Sequence, residues 1–170
     1  MTRRLRLPLL IALTFIGAGC QPEMKVSDEF GPGLSLEGMG PTFAWSPTAD
    51  DRDPDPWIEN PSLRAKITSL VESGLTDRGY QPASGTPDFW VNYDTTTKVE
   101  WAYITRAMVG RDGLLIIEFV DPASGRFIWR GVARTRIQKD DSLETRQKRL
   151  NRAVDMILDQ MPKQRPVAPS

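Results

Sequence analysis

A single thiol, Cys20, stands in the stretch "LTFIGAGCQPEM" at residues 13–24, in a chain of 170 residues that has no histidine. These two facts remove much of the chemistry open to a protein. Ser-His-Asp and Cys-His nucleophilic catalysis need an imidazole and are excluded. One cysteine closes no intramolecular disulfide, and neither a thiolate nor an imidazole zinc site can be built. Carboxylate, Lys, Tyr or Ser chemistry remains. Asp50, Asp51, Asp53 and Asp55 alternate in "DDRDPDPW" and could face a Ca²⁺ ion. That stretch lacks a glycine to turn the loop and a bidentate Glu at the right offset, and prolines stiffen it, so it reads as a solvated loop. Asp88, Asp94, Glu100, Glu118 and Asp121 lie near expected strands. A glycosidase needs two carboxylates facing each other across a cleft, and nothing in this spacing requires that. With no catalytic constellation the expectation is a non-enzyme without a cofactor.

Two further groups could bind rather than react. Arg130, Arg134 and Arg136 recur at every second or fourth position of one expected strand and so share a face. They could hold an anionic group, such as a lipid phosphate or an acidic partner. The plainer reading is a solvated face that discourages strand addition. Trp90, Trp101, Trp129 and Tyr93 could stack on a glycan, against ordinary core packing of amphipathic aromatics. Core packing is preferred for Trp129. Trp90 is left open, because Asn92 and Asp94 share its strand face.

The elements that must position these residues begin at an address label. "MTRRLR" is a basic segment, "LPLLIALTFI" an apolar run of ten residues, and "GAG" a set of small residues before Cys20; together residues 1–19 read as an export signal. The apolar run is too short for a bilayer core, which takes about 20 residues. "IGAGC" resembles a bacterial lipobox, in which small residues precede a lipid-bearing cysteine, although Gly17 stands where Leu is usual. The resemblance implies that Cys20 accepts diacylglycerol and anchors the mature chain. The alternative is an ordinary secretory signal cut after "GAG". By resemblance to Gram-negative sorting, Gln21 after the cysteine favours the outer membrane, periplasmic face. Without Arg3, Arg4 and Arg6, 19 basic residues face 22 acidic ones, a poor composition for binding nucleic acid.

Residues 20–41 lack periodicity and carry three Pro and four Gly, so they read as a flexible tether with a reach of about 25 Å. Residues 42–162 read as the folded domain, and 163–170 as a Pro-rich disordered tail. "TFAWS" is a short strand. Asn60 and Pro61 open a helix whose stripe is Leu63, Ile67, Leu70, Val71 and Leu75, with Gly79 at its end. "DFWVNYDTTTKVEW" and "LLIIEFV" read as strands, the second covered on both faces or central in a sheet. "DPASG" is a turn into "RFIWRGVARTRI". A last helix spans about 142–161, with Asp141 and Glu144 as a capping box and Leu150, Val154, Ile157, Leu158 and Met161 as its stripe. The expected fold is α+β, in the order β-α-β-β-β-α, with an antiparallel sheet of about four strands and both helices on one face.

These segments, and above all Asp121, Ser124, Gly125, Trp129, Arg130, Gly131 and Ala133 in the hairpin "DPASGRFIWRGVA", resemble the lipoprotein family called domain of unknown function 4136 (DUF4136). The likeness covers about residues 41–162. It implies an exported, usually lipid-anchored bacterial α+β protein, and no reaction. The resulting expectation is a non-enzymatic interaction or accessory module of the cell envelope, held at the membrane by its N-terminal lipid and meeting an envelope protein, lipid or glycan. The alternative is a carrier or assembly aid holding a lipid or glycan between helices and sheet.

Overall fold

A computed structural model describes residues 23–33, 39–47, 61–101, 108–138 and 141–161. The element order is β1 (Met24–Phe30), β2 (Thr42–Trp45), α1 (Pro61–Thr76), β3 (Gln81–Pro82), β4 (Phe89–Trp101), β5 (Met108–Val120), β6 (Phe127–Ile137) and α2 (Leu143–Leu158). The strands form one six-stranded sheet in the order β1-β6-β5-β4-β2-β3. The three long strands β4, β5 and β6 make a meander, antiparallel throughout.

Two expectations are corrected here. The sheet has six strands rather than about four, and it is mixed rather than antiparallel. The parallel part arises because α1 returns the chain to the same end of the sheet, so that β2 runs parallel to β4 and to β3. The second correction concerns the stretch read as a tether. Met24–Phe30 pairs along its whole length with β6, from Met24 opposite Thr135 to Phe30 opposite Trp129. Its period-2 signal is faint, since an edge strand needs only one half-buried row: Met24 is buried and Val26 half-buried, while Lys25, Ser27 and Glu29 face out. "LLIIEFV" lies inside the sheet, in β5, with neighbours on both sides.

Both helices cover the same face. Leu63, Ile67, Val71 and Leu75 are the buried row of α1; Ala153, Val154, Ile157 and Leu158 are that of α2. Beneath them an aromatic ladder crosses four strands. Phe43 stacks on Phe89 at 6.2 Å, while Phe89 meets Phe119 at 4.8 Å and Phe119 meets Trp129 at 4.9 Å with tilted rings. Tyr80 meets Phe89 edge-on. The helices run side by side in the same direction, and their C-terminal ends are tied together. Arg78 donates to the Leu158 carbonyl at 2.9 Å and pairs with Asp159. Gly74 lies against the Leu158 side chain, where a Cβ would collide.

The start of α2 differs in detail from the capping box. Ser142 is the N-cap, its hydroxyl accepting from Thr145 N–H at 3.1 Å. Glu144 instead pairs with Lys148 one turn on. The turn after β5 forms as the sequence indicates. The Asp121 carboxylate accepts from the Ala123 and Ser124 N–H groups, and Gly125 takes φ +67°. Gly79 ends α1 with φ +92°. The Asn60 cap and the loop of Asp50 to Asp55 lie outside the described residues, as do Cys20 and the tail.

Candidate functional site

The two ends of the helix layer pack differently because the side chains beneath them differ in size. At the C-terminal end, Ile157 and Trp129 close over Gly131 and Leu158 closes over Gly74, leaving no room for a Cβ at either glycine. At the N-terminal end the facing positions are small: Gly113 on β5, Ala133 on β6 and Ala153 on α2. An apolar cavity of about 80 Å³ opens there, walled by Leu63 and Ile67 of α1, Leu150 and Ala153 of α2, and Leu115 and Ala133 of the sheet. It is open to solvent on one side.

Its polar groups are few. Thr95, Thr135, Arg146 and Arg149 also line it. Arg149 is committed elsewhere: it grips Asp141 with both terminal nitrogens, at 2.6 and 3.2 Å. The Asp141 carboxylate is only 6% exposed. Burial alone would raise its pKa; the hydrogen bonds from Arg149 and Gln138 N–H, with the charges of Arg149 and Arg146, outweigh this and hold it below the usual carboxylate value. Arg146 Nε and Thr135 Oγ1 are buried without any hydrogen-bond partner. Each such atom costs about 1–3 kcal/mol if left unsatisfied. A small apolar cavity with two unsatisfied polar atoms, one on a cation, suits an apolar body ending in an anionic oxygen.

The sequence carries a signal for this site. Arg146, Arg149, Leu150 and Ala153 stand at i, i+3, i+4 and i+7, which places both arginines on the stripe that faces the sheet.

The other candidates fall in separate places. Arg130, Arg134 and Arg136 do share one strand face, on the side away from the helices, and carboxylates meet all three. Arg130 pairs with Glu118 and Glu29; Arg134 and Arg136 both pair with Asp112. An incoming anion there would have to displace these carboxylates. Trp129 is fully buried, with its indole N–H donating to Asp28 at 3.2 Å. Trp90 is half-buried, and by alternation it lies on the outer face. Asp88 accepts from the Thr42 N–H and hydroxyl, which ties β2 to the turn before β4. Asp94 accepts from Thr95 N–H. With Glu118 in its ion pair and Asp121 in its turn, these four carboxylates are spread over distinct structural roles and do not converge. The side chains of Glu100 and Trp101 lie outside the described set. No cluster of three or more potential metal ligands occurs among the described residues. Among the described residues, no helix is long and apolar enough to cross a membrane.

Residues 38–163 match the sequence pattern of the family described as Domain of unknown function (DUF4136). The chain belongs to this family. No curated protein matches the DUF4136 chain. Among solved structures it is similar to a PDZ domain protein from Parabacteroides distasonis, with a TM-score of 0.55 and 14% identity over 85% of this chain and 37% of that one. It is also similar to PelC dodecamers from Paraburkholderia phytofirmans, with a TM-score of 0.47 and identities of 15% and 13%, over 80% of this chain and 95% of theirs. At such identities the first likeness is one of fold alone. The DUF4136 chain spans little more than a third of the Parabacteroides protein.

Proposed function

We propose that this DUF4136 protein is a lipid-anchored module of the bacterial cell envelope, held at the periplasmic face of the outer membrane and acting by binding rather than by catalysis. The observation that carries the reading is the distance along the chain between Cys20 and the sheet. Strand β1 begins at Met24, four residues after Cys20. Four residues reach at most about 14 Å at roughly 3.3–3.6 Å each. An acylated Cys20 would therefore hold the sheet edge directly at the bilayer surface, far closer than a 21-residue tether allows. Supporting the anchor itself are the basic, apolar and small-residue segments before Cys20. Labelled palmitate should enter the wild type and not the Cys20→Ala variant. Equal labelling of the two would refute the anchor.

A second reading, a carrier or assembly aid for a lipid or glycan, is favoured by one specific feature: the apolar cavity between helices and sheet. It lies at the end of the sheet where β1 begins, since Met24 pairs with Thr135 and Thr135 with Gly113, and both Thr135 and Gly113 line the cavity. The cavity would then open close to the membrane.

A further inference from the structure

We propose that the cavity binds the head and first carbons of a single-chain anionic amphiphile, with Arg146 Nε–H and the Thr135 hydroxyl donating to its anionic oxygens. The proposal rests on the carrier reading and names its ligand class.

Three observations carry it. The wall is apolar: Leu63, Ile67, Leu115, Leu150 and Ala153 offer only hydrocarbon. Two donors within that lining, Arg146 Nε and Thr135 Oγ1, are buried and lack a partner. Nearly all buried polar groups are satisfied, so two beside one cavity point to a group that is to be supplied. The charge is favourable as well. Arg149 takes both oxygens of Asp141 through two hydrogen bonds, so Arg146, whose charge also acts on that carboxylate, keeps its Nε–H unspent beside the cavity. A neutral glycan fits poorly, because the wall offers it few hydrogen-bonding groups.

Size narrows the ligand. The cavity, about 80 Å³ and open on one side, has about half the volume of an engineered cavity of roughly 150 Å³ that admits benzene. It therefore takes roughly three or four heavy atoms, those of the head group included, and the rest of an acyl chain would leave through the open side. A fatty acid and a lysophosphatidic acid share this chemistry, a single acyl chain with an anionic oxygen head group, which in the second is joined to the chain through glycerol.

The test uses the full chain in phosphatidylcholine vesicles with three photoactivatable probes: palmitic acid, lysophosphatidic acid and hexadecanol, each carrying a diazirine near its head group. Cross-linked peptides are located by mass spectrometry. The expected result is labelling by an anionic probe at Leu63–Ile67 and Leu150–Ala153. It should fall about tenfold in Arg146→Gln, as expected for one charge-assisted contact of roughly 1.4 kcal/mol. It should also fall in Ala153→Phe, which fills the cavity. Hexadecanol should label weakly and be indifferent to Arg146→Gln. Whichever anionic probe labels more strongly identifies the head group as carboxylate or phosphate. Equal labelling by hexadecanol and the anionic probes would overturn the proposal and leave the carrier reading standing. No cross-links at these residues with any probe would overturn both. Palmitate incorporation at Cys20 is scored separately, so the anchor is judged on its own. Arg146→Gln lies at the partly exposed start of α2, so its result stands even if Ala153→Phe fails to fold.

Discussion

Arg149 reaches back eight residues to hold Asp141, the residue directly before the Ser142 cap of α2, by both terminal guanidinium nitrogens. The pair is largely enclosed, with 14% and 6% of the two side chains exposed. Removing Asp141 would leave a guanidinium desolvated and unpaired. Asp141→Ala should therefore lower the unfolding free energy by about 3 kcal/mol, the scale for breaking a buried ion pair. Urea titration reads the loss directly. A change within error of zero would show that Arg149 finds another partner.

The same carboxylate sets a pH dependence. Its folded pKa lies below its ordinary value, so its contribution is fully present above about pH 4, the unfolded carboxylate value. It is lost as pH falls through the folded pKa. Urea midpoints measured from pH 7 to pH 2 should decline on the acid side, and less steeply in Asp141→Asn than in the wild type.

Ser142, and not Asp141, should behave as the cap of α2. Ser142→Ala should cost about 1 kcal/mol through the lost hydrogen bond to Thr145 N–H. Glu144→Gln should change the melting temperature less, since the Glu144 pair with Lys148 is exposed.

Gly131 is held to glycine by its surroundings. A Cβ there would press on Ile157 Cγ2 and come within 2.6 Å of Trp129 Cη2. Both neighbours are fully buried and cannot retreat. Gly131→Ala should lower stability by about 1–3 kcal/mol, the usual penalty of overpacking. Thermal unfolding measures it.

Strand β1 should be required for solution behaviour as well as stability. A chain lacking residues 23–30 leaves the β6 edge unpaired over seven positions, and such edges recruit other chains. Sedimentation should show more self-association than the intact chain does. A monodisperse truncated protein would show that the β6 edge tolerates exposure.

Legibility in the sequence followed the strength of each local pattern. The helix stripes of Leu63 to Leu75 and of Leu150 to Leu158 were readable because four-residue spacing leaves little choice of face. The hairpin around Asp121 and Gly125 was readable because its turn chemistry is local. Strand β1 was not, since its inner row is Met24, Val26, Asp28 and Phe30, and its pairing partner is remote. The two residues of β3 carry no period at all. Parallel pairing of β2 with β4 depends on where α1 delivers the chain, which composition does not encode. Within the candidate site, Arg146 and Arg149 extend the α2 stripe, and their charge disguised that membership. Thr135 had no signal of its own, because its burial depends on two helices placed elsewhere in the chain.

The pairing of β1 with β6 joins the start of the described chain to a strand about a hundred residues later. As the polypeptide emerges from its N-terminus, the first strand made must wait for nearly the last. Closing so long a loop is slow, and non-local strand pairing delays folding generally. The sheet would grow outward from the β4-β5-β6 meander, and β1 would dock last. Until it does, its exposed Phe30 and the open side of β6 are the places where a chaperone or a second copy would intervene.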